Sequence, residues 1–486
     1  MALVLLTAAC LPQGREATPG IAAEAPLAAD PAGEGGTTTE STSTTTTIAP
    51  TTTTTEAALD LAGSVLSPDG IPLEGAVVTL GDEETRVDGR GMFSLSSVRP
   101  GEITVSRPAW EAQSVDWNGT GPVDIVLEPR VVRAVRVSRY VSMDTDEYAA
   151  LLDQIEGTAV NTLIFDTKDE TGTTLYETNV PFAAEIGAVR DVYDPAALLA
   201  AARDRGLYAI TRIVTFEDET WTGAKPEAKL AGRWVDARDP ANWEYPLDLA
   251  VEACHLGFDE IQFDYVRFPT GRASAQAQQT DPTTEEERVA TIADFLTEAR
   301  SRLHPMGCAL SAAIFGIVVS SPDDQGIGQR PEEVSRVVDA VSPMVYPSHY
   351  SPGWLGFSDP NDHPGPVTAD ALDDAAPRLA STAQLRPWLQ AFYYNGAQVK
   401  AGIFAAEERG HGWLLWNAGG NYGDSWLPTM EELPAPPEPD PMPLDESDGP
   451  IVPDSPSDEP GADAGDGQAD PSSPGGSGDN GPDSEP

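Results

Sequence analysis

This chain is short of positive charge and of cysteine. Lys and Arg together number 29 against 78 Asp and Glu, a formal net charge of −49 over 486 residues. Phosphate backbones call for a basic footprint, so this balance argues against a nucleic-acid partner and equally against adhesion to anionic lipid by charge alone. Only three cysteines occur, Cys10, Cys254 and Cys308. That is too few for a disulfide framework, and the last two read as small buried hydrophobes. After the first ten residues no run is long and apolar enough to span a bilayer. The chain also lacks G-x-G-x-x-G after its first strand, H-E-x-x-H, paired Cys spacing and G-x-S-x-G. These absences disfavour a dinucleotide fold, a zinc centre and an α/β-hydrolase esterase in turn. His255, His304 and His363 are scattered. Asp166, Asp169 and Glu170 lack the glycine-bearing loop of a calcium site. No cofactor and no metal are expected.

What is present falls into five stretches. Residues 1–10 form an apolar run of small residues ending in Cys10, like a lipoprotein signal, so export with Cys10 as a lipid anchor is expected. Residues 11–58 are rich in Ala, Pro, Thr and Ser and cannot build a core. The last stretch, 431–486, holds many Pro, Gly, Ser and Asp and no Lys or Arg. Both read as disordered segments. Residues 59–130 read as a small all-β sandwich, with turns at Pro68-Asp69-Gly70 and Asp88-Gly89 between short alternating strands.

Residues 131–430 carry eight strand candidates: Ala134–Arg139, Thr162–Asp166, Ala209–Thr215, Glu260–Val266, Ala309–Phe315, Ala340–Tyr346, Arg386–Tyr393 and Gly412–Trp416. Amphipathic stretches such as Asp191–Arg205, Tyr245–Leu256 and Glu285–Leu303 lie between them. Alternation on this scale predicts an α/β fold, a closed (β/α)8 TIM barrel. The fourth strand is unusual, because Asp264, Tyr265 and Arg267 stand at its end, where burial without compensation is costly. A barrel with its site at the carboxyl ends of the strands gives them a place.

Such a mouth collects Asp166 and Lys168 from strand two, Glu217 past strand three, Asp264 and Arg267 from strand four, and Tyr346 and His349 from strand six. Gln390 follows from strand seven, and Trp416 and Asn417 from strand eight. Carboxylates flanked by Trp and Tyr suit sugars, whose C–H faces stack on aromatics while their hydroxyls need polar partners. Glycoside hydrolysis requires two carboxyl groups across the scissile bond. Asp264 is the first candidate, with Asp166, Glu217 and then Asp324 as proton-donor candidates. Lys168, Arg267, Tyr346, His349, Gln390, Trp416 and Asn417 are expected to bind substrate. Arg267 has an alternative use as a salt bridge at the rim, Tyr265 is expected to pack behind its strand, and Asp259 and Glu260 are expected to be structural.

Two resemblances add to this reading. The order Gly63, Val65, Asp69-Gly70-Ile71-Pro72-Leu73-Glu74-Gly75-Ala76, Asp88-Gly89, Phe93 and Pro100-Gly101 resembles the carboxypeptidase regulatory-like sandwiches of exported enzymes. The large domain is similar to a glycoside-hydrolase family of bacterial exported proteins, formerly a domain of unknown function. Asn161-Thr162-Leu163-Ile164-Phe165-Asp166-Thr167-Lys168-Asp169, Asp259 to Pro269, Ser342 to Tyr350 and Gln390-Ala391-Phe392 carry that likeness. It implies a barrel related to the amylase-like retaining enzymes, with Asp264 as nucleophile. That clan's acid, a strand-five glutamate, is replaced here by Phe315-Gly316. The resulting expectation is an exported or lipid-anchored glycosidase of an envelope polysaccharide; the alternative is a catalytically silent, glycan-binding barrel. Oligomeric state stays open.

Overall fold

Strand four dictates how the large domain is built. Glu260, Gln262 and Asp264 alternate with Ile261 and Phe263, and all five are buried. A strand whose two faces are both buried, one polar and one apolar, needs an apolar layer on one side and a satisfied polar interior on the other. The computed structural model, which describes residues 58–435, supplies both. Cys10, the linker and nearly all of the acidic tail lie outside the described residues.

Eight parallel strands close into a ring: β1 (Arg133–Arg136), β2 (Thr162–Lys168), β3 (Tyr208–Val214), β4 (Glu260–Asp264), β5 (Ala309–Phe315), β6 (Ala340–Val345), β7 in two pieces (Gln384–Leu385 and Trp388–Gln390) and β8 (Trp413–Trp416). Each pairs with its sequence neighbours, and β8 returns to β1 through Leu414↔Ala134. The expected barrel is therefore the observed one. Helices follow the strands; the longest, Glu285–Leu303, starts at a capping box of Thr284 and Glu287. Asp194 caps Pro195–Arg203 by accepting from the Ala196 and Ala197 amides.

Outward side chains such as Phe165, Ile213, Ile261, Phe263 and Ile314 meet the helices in one large apolar shell, where Phe295 stacks edge-on against Phe216 and Phe263. A smaller apolar set, Ala134, Ile164, Ile210, Ala313, Trp388 and Leu414, fills the interior. The polar groups of β4 run through this second set in layers. At the amino end Glu260 accepts from Arg386 at 2.8 Å. One layer up, Gln262 accepts from the Trp388 indole at 2.8 Å and donates to Ser311 and Ser342. Asp264 forms the top layer.

Three expectations need correction. Strand four stops at Asp264 because Tyr265 takes φ 50°, a left-handed conformation that ends the ladder. The seventh strand is interrupted where Pro387 cannot donate a ladder hydrogen bond. Cys254 and Cys308 are not free hydrophobes: they form a disulfide, with Cα atoms 6.1 Å apart, joining the end of helix Glu244–Leu256 to the start of β5.

Before the barrel, two antiparallel-rich sheets of three and four strands share one core that includes Leu61, Val65, Val78, Phe93, Ile103 and Ile125. Gly63 is required there, since a Cβ would lie 2.0 Å from the Val123 carbonyl. This module rests on the amino end of the barrel. Ala309 joins its core, Gln384 donates to the Ala109 carbonyl, and Arg130 lies 4.8 Å over the Tyr208 ring. The carboxyl ends of the strands stay open. Among the described residues no helix is long and apolar enough to cross a membrane.

Candidate active site

Arg212 organises the open end. It points inward from β3, is 1% exposed, and distributes its donors over three carboxylates. Nε donates to Asp264 Oδ2 at 2.8 Å, Nη1 to Asp166 Oδ1 at 3.0 Å and Nη2 to Glu170 Oε1 at 2.7 Å. A second buried arginine, Arg136 of β1, pairs with the other Asp166 oxygen. Both guanidinium groups lie over the Trp416 ring, at 4.3 and 4.8 Å. The register explains the convergence, because Arg212 of β3 stands beside Asp166 of β2. The remaining Asp264 oxygen accepts from the Tyr265 amide at 2.7 Å.

The three acids differ in access. Asp166 has no exposed side-chain surface and both its oxygens are held by arginine; burial pushes its carboxyl up against the pull of Arg136 and Arg212. Asp264 is 6% exposed and Glu170 is 41% exposed. Burial pushes Glu170 up too, but the charges of Arg212 and Arg136 win and hold it at about 2. Glu170 and Asp264 both lie within 2.8 Å of Arg212 Nη2, so their nearest oxygens are separated by less than twice that distance.

These two acids face a cleft of about 800 Å³. Arg212, Tyr265, Arg267, Phe315, Tyr346, His349, Trp354, Phe392, Tyr393, Trp416 and Asn417 are among the residues that line it. Of the residues expected from sequence, the structure thus brings Asp264, Arg267, Tyr346, His349, Trp416 and Asn417 together. Burial keeps the His349 imidazole below its usual pKa and the Tyr346 phenol well above its own, so both are neutral near pH 7. Asn417 spends its amide on the Ala391 and Asn421 carbonyls, which shapes the loop after β8.

The other candidates lie outside the cleft lining. Lys168 is fully buried and paired with Asp218 at 2.6 Å. Glu217 pairs with Arg233 at 2.5 Å, beside the Trp234 backbone. Gln390 accepts from the Ser348 amide and donates to Asn361, bracing the loop that carries His349. Asp324 is held by Arg288 and by the Gly326 and Gly328 amides. Asp259 accepts from the Ala209 amide and Glu260 pairs with Arg386, both at the amino end, as structural groups would.

Tyr265 packs against the outer apolar shell and also lines the cleft, because its left-handed backbone turns the ring around the strand end. Burial, helped by the Asp264 charge, raises its phenol to about 12. Arg267 makes no rim salt bridge among the described residues. Its guanidinium sits among Phe315, Trp234 and Tyr265, at 4.3, 4.5 and 5.1 Å. Sequence reasoning also missed Arg212 and Glu170. Arg212 carried the same signal as Asp264, a charge at an inward position of an otherwise apolar strand. Among the described residues no three His, Cys, Asp or Glu side chains are placed to hold a metal ion.

Residues 134–422 match the family model described as "Putative glycosyl hydrolase domain". The chain belongs to this family. Its glycosyl hydrolase domain spans the barrel from β1 to the loop after β8. Among solved structures, a hypothetical protein from Ruminiclostridium thermocellum is 30% identical over 37% of this chain and 96% of its own, with a TM-score of 0.33. The PgaB (BpsB) glycoside hydrolase domain from Bordetella bronchiseptica is 11% identical over 60% and 94%, with a TM-score of 0.45. The spore cortex-lytic enzyme SleL of Bacillus cereus is 13% identical over 65% and 76%, with a TM-score of 0.38. No curated protein matches the chain. The glycosyl hydrolase domain thus combines a glycoside-hydrolase-like barrel with a cluster of buried acidic residues at its open end.

Proposed function

We propose that the barrel hydrolyses a glycosidic bond in an extracellular or envelope polysaccharide, with Asp264 as nucleophile and Glu170 as acid and base. One observation carries the reading: these two carboxylates alone of the acids on Arg212 face the aromatic cleft, and they are close enough for the retaining geometry, about 5–5.5 Å between carboxyl groups. Asp264 suits the nucleophile. Arg212 and the Tyr265 amide hold it in place. Glu170 replaces the sequence candidates Asp166 and Glu217, which do not reach the cleft.

In the resting site Glu170 is ionised and donates no proton. Burial is nonetheless the largest influence on it, opposed chiefly by Arg212. A sugar that takes Arg212 Nη2 for one of its own oxygens removes the hydrogen bond to Glu170 and deepens its burial, and both changes raise the carboxyl toward its proton-donating form. Backbone crowding supports the absence of an amylase-type acid on β5: a Cβ on Gly316 would lie 2.4 Å from the Met344 carbonyl. The Cys254–Cys308 disulfide supports export to an oxidising compartment; a lipid anchor at Cys10 belongs to the same proposal.

The test is turnover of a glycan panel by the full chain. Asp264→Asn should cost on the order of 10⁴ in kcat/KM while glycan binding persists. Glu170→Gln should lose about 10²–10⁴ in kcat/KM on natural glycans, yet keep kcat/KM for activated aryl glycosides, whose leaving groups need no proton, while their kcat falls because the glycosyl-enzyme lacks its base. Equal losses on both substrate types would remove Glu170 from the acid role. The held-down Glu170 favours a second reading, a silent barrel that binds glycans; binding without turnover on the whole panel selects it.

A further inference from the structure

Six arginines are buried among the described residues, and four of them, Arg136, Arg212, Arg288 and Arg386, hold a carboxylate. Arg107 and Arg267 do not. Arg107 belongs to the β-module, whereas Arg267 lines the cleft. It is 5% exposed and leans on three aromatic faces. Of its donors, Nη1 reaches the Phe268 carbonyl at 3.0 Å and buried Nε has no partner. Burial draws its pKa below the usual arginine value, with Glu217 the strongest opposing charge.

A desolvated cation with a vacant donor is expensive unless something compensates it. Aromatic faces fix the plane of the guanidinium and leave its edge as the direction of hydrogen bonding. With Nη1 on the Phe268 carbonyl and Nε buried, the remaining terminal nitrogen on that edge is the donor an incoming carboxylate can take. On the cleft floor, by contrast, the acids are already matched to Arg136 and Arg212, so no protein carboxylate is left over for Arg267.

We propose that Arg267 is a specificity determinant that receives a sugar carboxylate, and that the glycan taken by this cleft is therefore acidic, carrying uronic or other carboxylated residues. This rests on the glycan reading of the cleft given above. The sugar next to the scissile bond places its carboxylate against Arg267 while its apolar face lies along Phe315 or Tyr265. A neutral sugar in the same position leaves the Arg267 charge buried and unanswered.

Calorimetry decides it, with the full-length Asp264→Asn variant so that nothing is consumed. The probes are oligosaccharides of matched length in neutral and uronate pairs: glucan and glucuronan, galactan and galacturonan, mannan and mannuronan. At least one uronate should bind about tenfold or more tightly than its neutral counterpart, the scale of one charge-assisted contact. Adding Arg267→Gln should erase that ratio, and Arg267→Lys, which keeps the charge without the fork, should retain part of it. Thermal melts establish that each variant is folded; if Arg267→Gln is not, an undiminished ratio in Arg267→Lys overturns the proposal. So does binding without a uronate preference in any of the three pairs, or a uronate preference that survives Arg267→Gln. Either result leaves the glycan reading standing. No binding by any of the six probes would bring down both.

Discussion

The two ends of the barrel solve one problem in opposite ways. At the amino end, Glu260 meets Arg386 in a buried pair, and the β-module covers the strand starts. At the carboxyl end, one arginine serves three acids, one of those acids is partly exposed, and another, Arg267, has no acid among the described residues. The first arrangement ties one acid to one arginine. The second leaves unequal partners, so an incoming molecule can change who pairs with whom. Both ends are built from inward positions of the same strand, β4, only four residues apart. Function here lies in stoichiometry of charge, not in burial as such.

Removing the central cations should expose that contrast most strongly. Arg212→Met strands Asp166 and Asp264 in a dry site, and breaking such a pair costs about 3–5 kcal/mol. A denaturant titration should place Arg212→Met at the upper end of that range, and no single acid-to-amide change should restore it. Arg386→Met strands Glu260 alone. There the double variant Glu260→Gln with Arg386→Met should recover most of the loss, because an uncharged pair of similar volume is cheap to bury. If one amide rescues both ends equally well, the shared-cation view of Arg212 fails.

The disulfide sharpens the comparison from the other side. It closes a loop with a sequence separation of 54 near the amino end, so Cys254→Ala with Cys308→Ala should cost about 4 kcal/mol in the chain-entropy model. Affinity in the cleft should not change. A lost affinity with an unaltered melting temperature would mean that the staple supports the site and not the closed end.

How much of this was legible beforehand depended on whether the deciding contact was local. The eight strands, the capped helices and the place of Asp264 followed from alternation and spacing, which are properties of short segments. Glu260 as a structural acid was readable for the same reason. What alternation misses is a change of backbone: a single positive φ lets Tyr265 reach the cleft, which parity alone does not show. Asp166 passed as a cleft acid because sequence gives the strand end but not the two arginines that cover it. Glu170 reads from sequence only as an unsupported cation ligand, since its partner Arg212 lies 42 positions away. The cysteines failed likewise, for two residues separated by a whole βα unit give no hint of their approach.

The smallest effect should come from pH, and it also belongs to the closed end. His411 stands just before β8, and burial, with Arg409 adding to it, lowers its pKa to about 4 against the usual 6.5. The folded state therefore binds the proton more weakly than the unfolded chain. Above pH 6.5 both states are neutral and nothing is lost. As pH falls toward 4 the unfolded chain is protonated first, and stability drops by on the order of 2 kcal/mol after allowance for solvent screening. Below 4 the folded form takes up the proton as well and this contribution levels off. Glu170, held at about 2, adds its own loss only as pH falls below the ordinary glutamate value. Melting temperatures from pH 7 to 2, compared between the parent chain and His411→Gln, separate the two. The variant should flatten the decline between 6.5 and 4, leaving the decline below it, and an identical profile in both proteins would place the titrating group elsewhere.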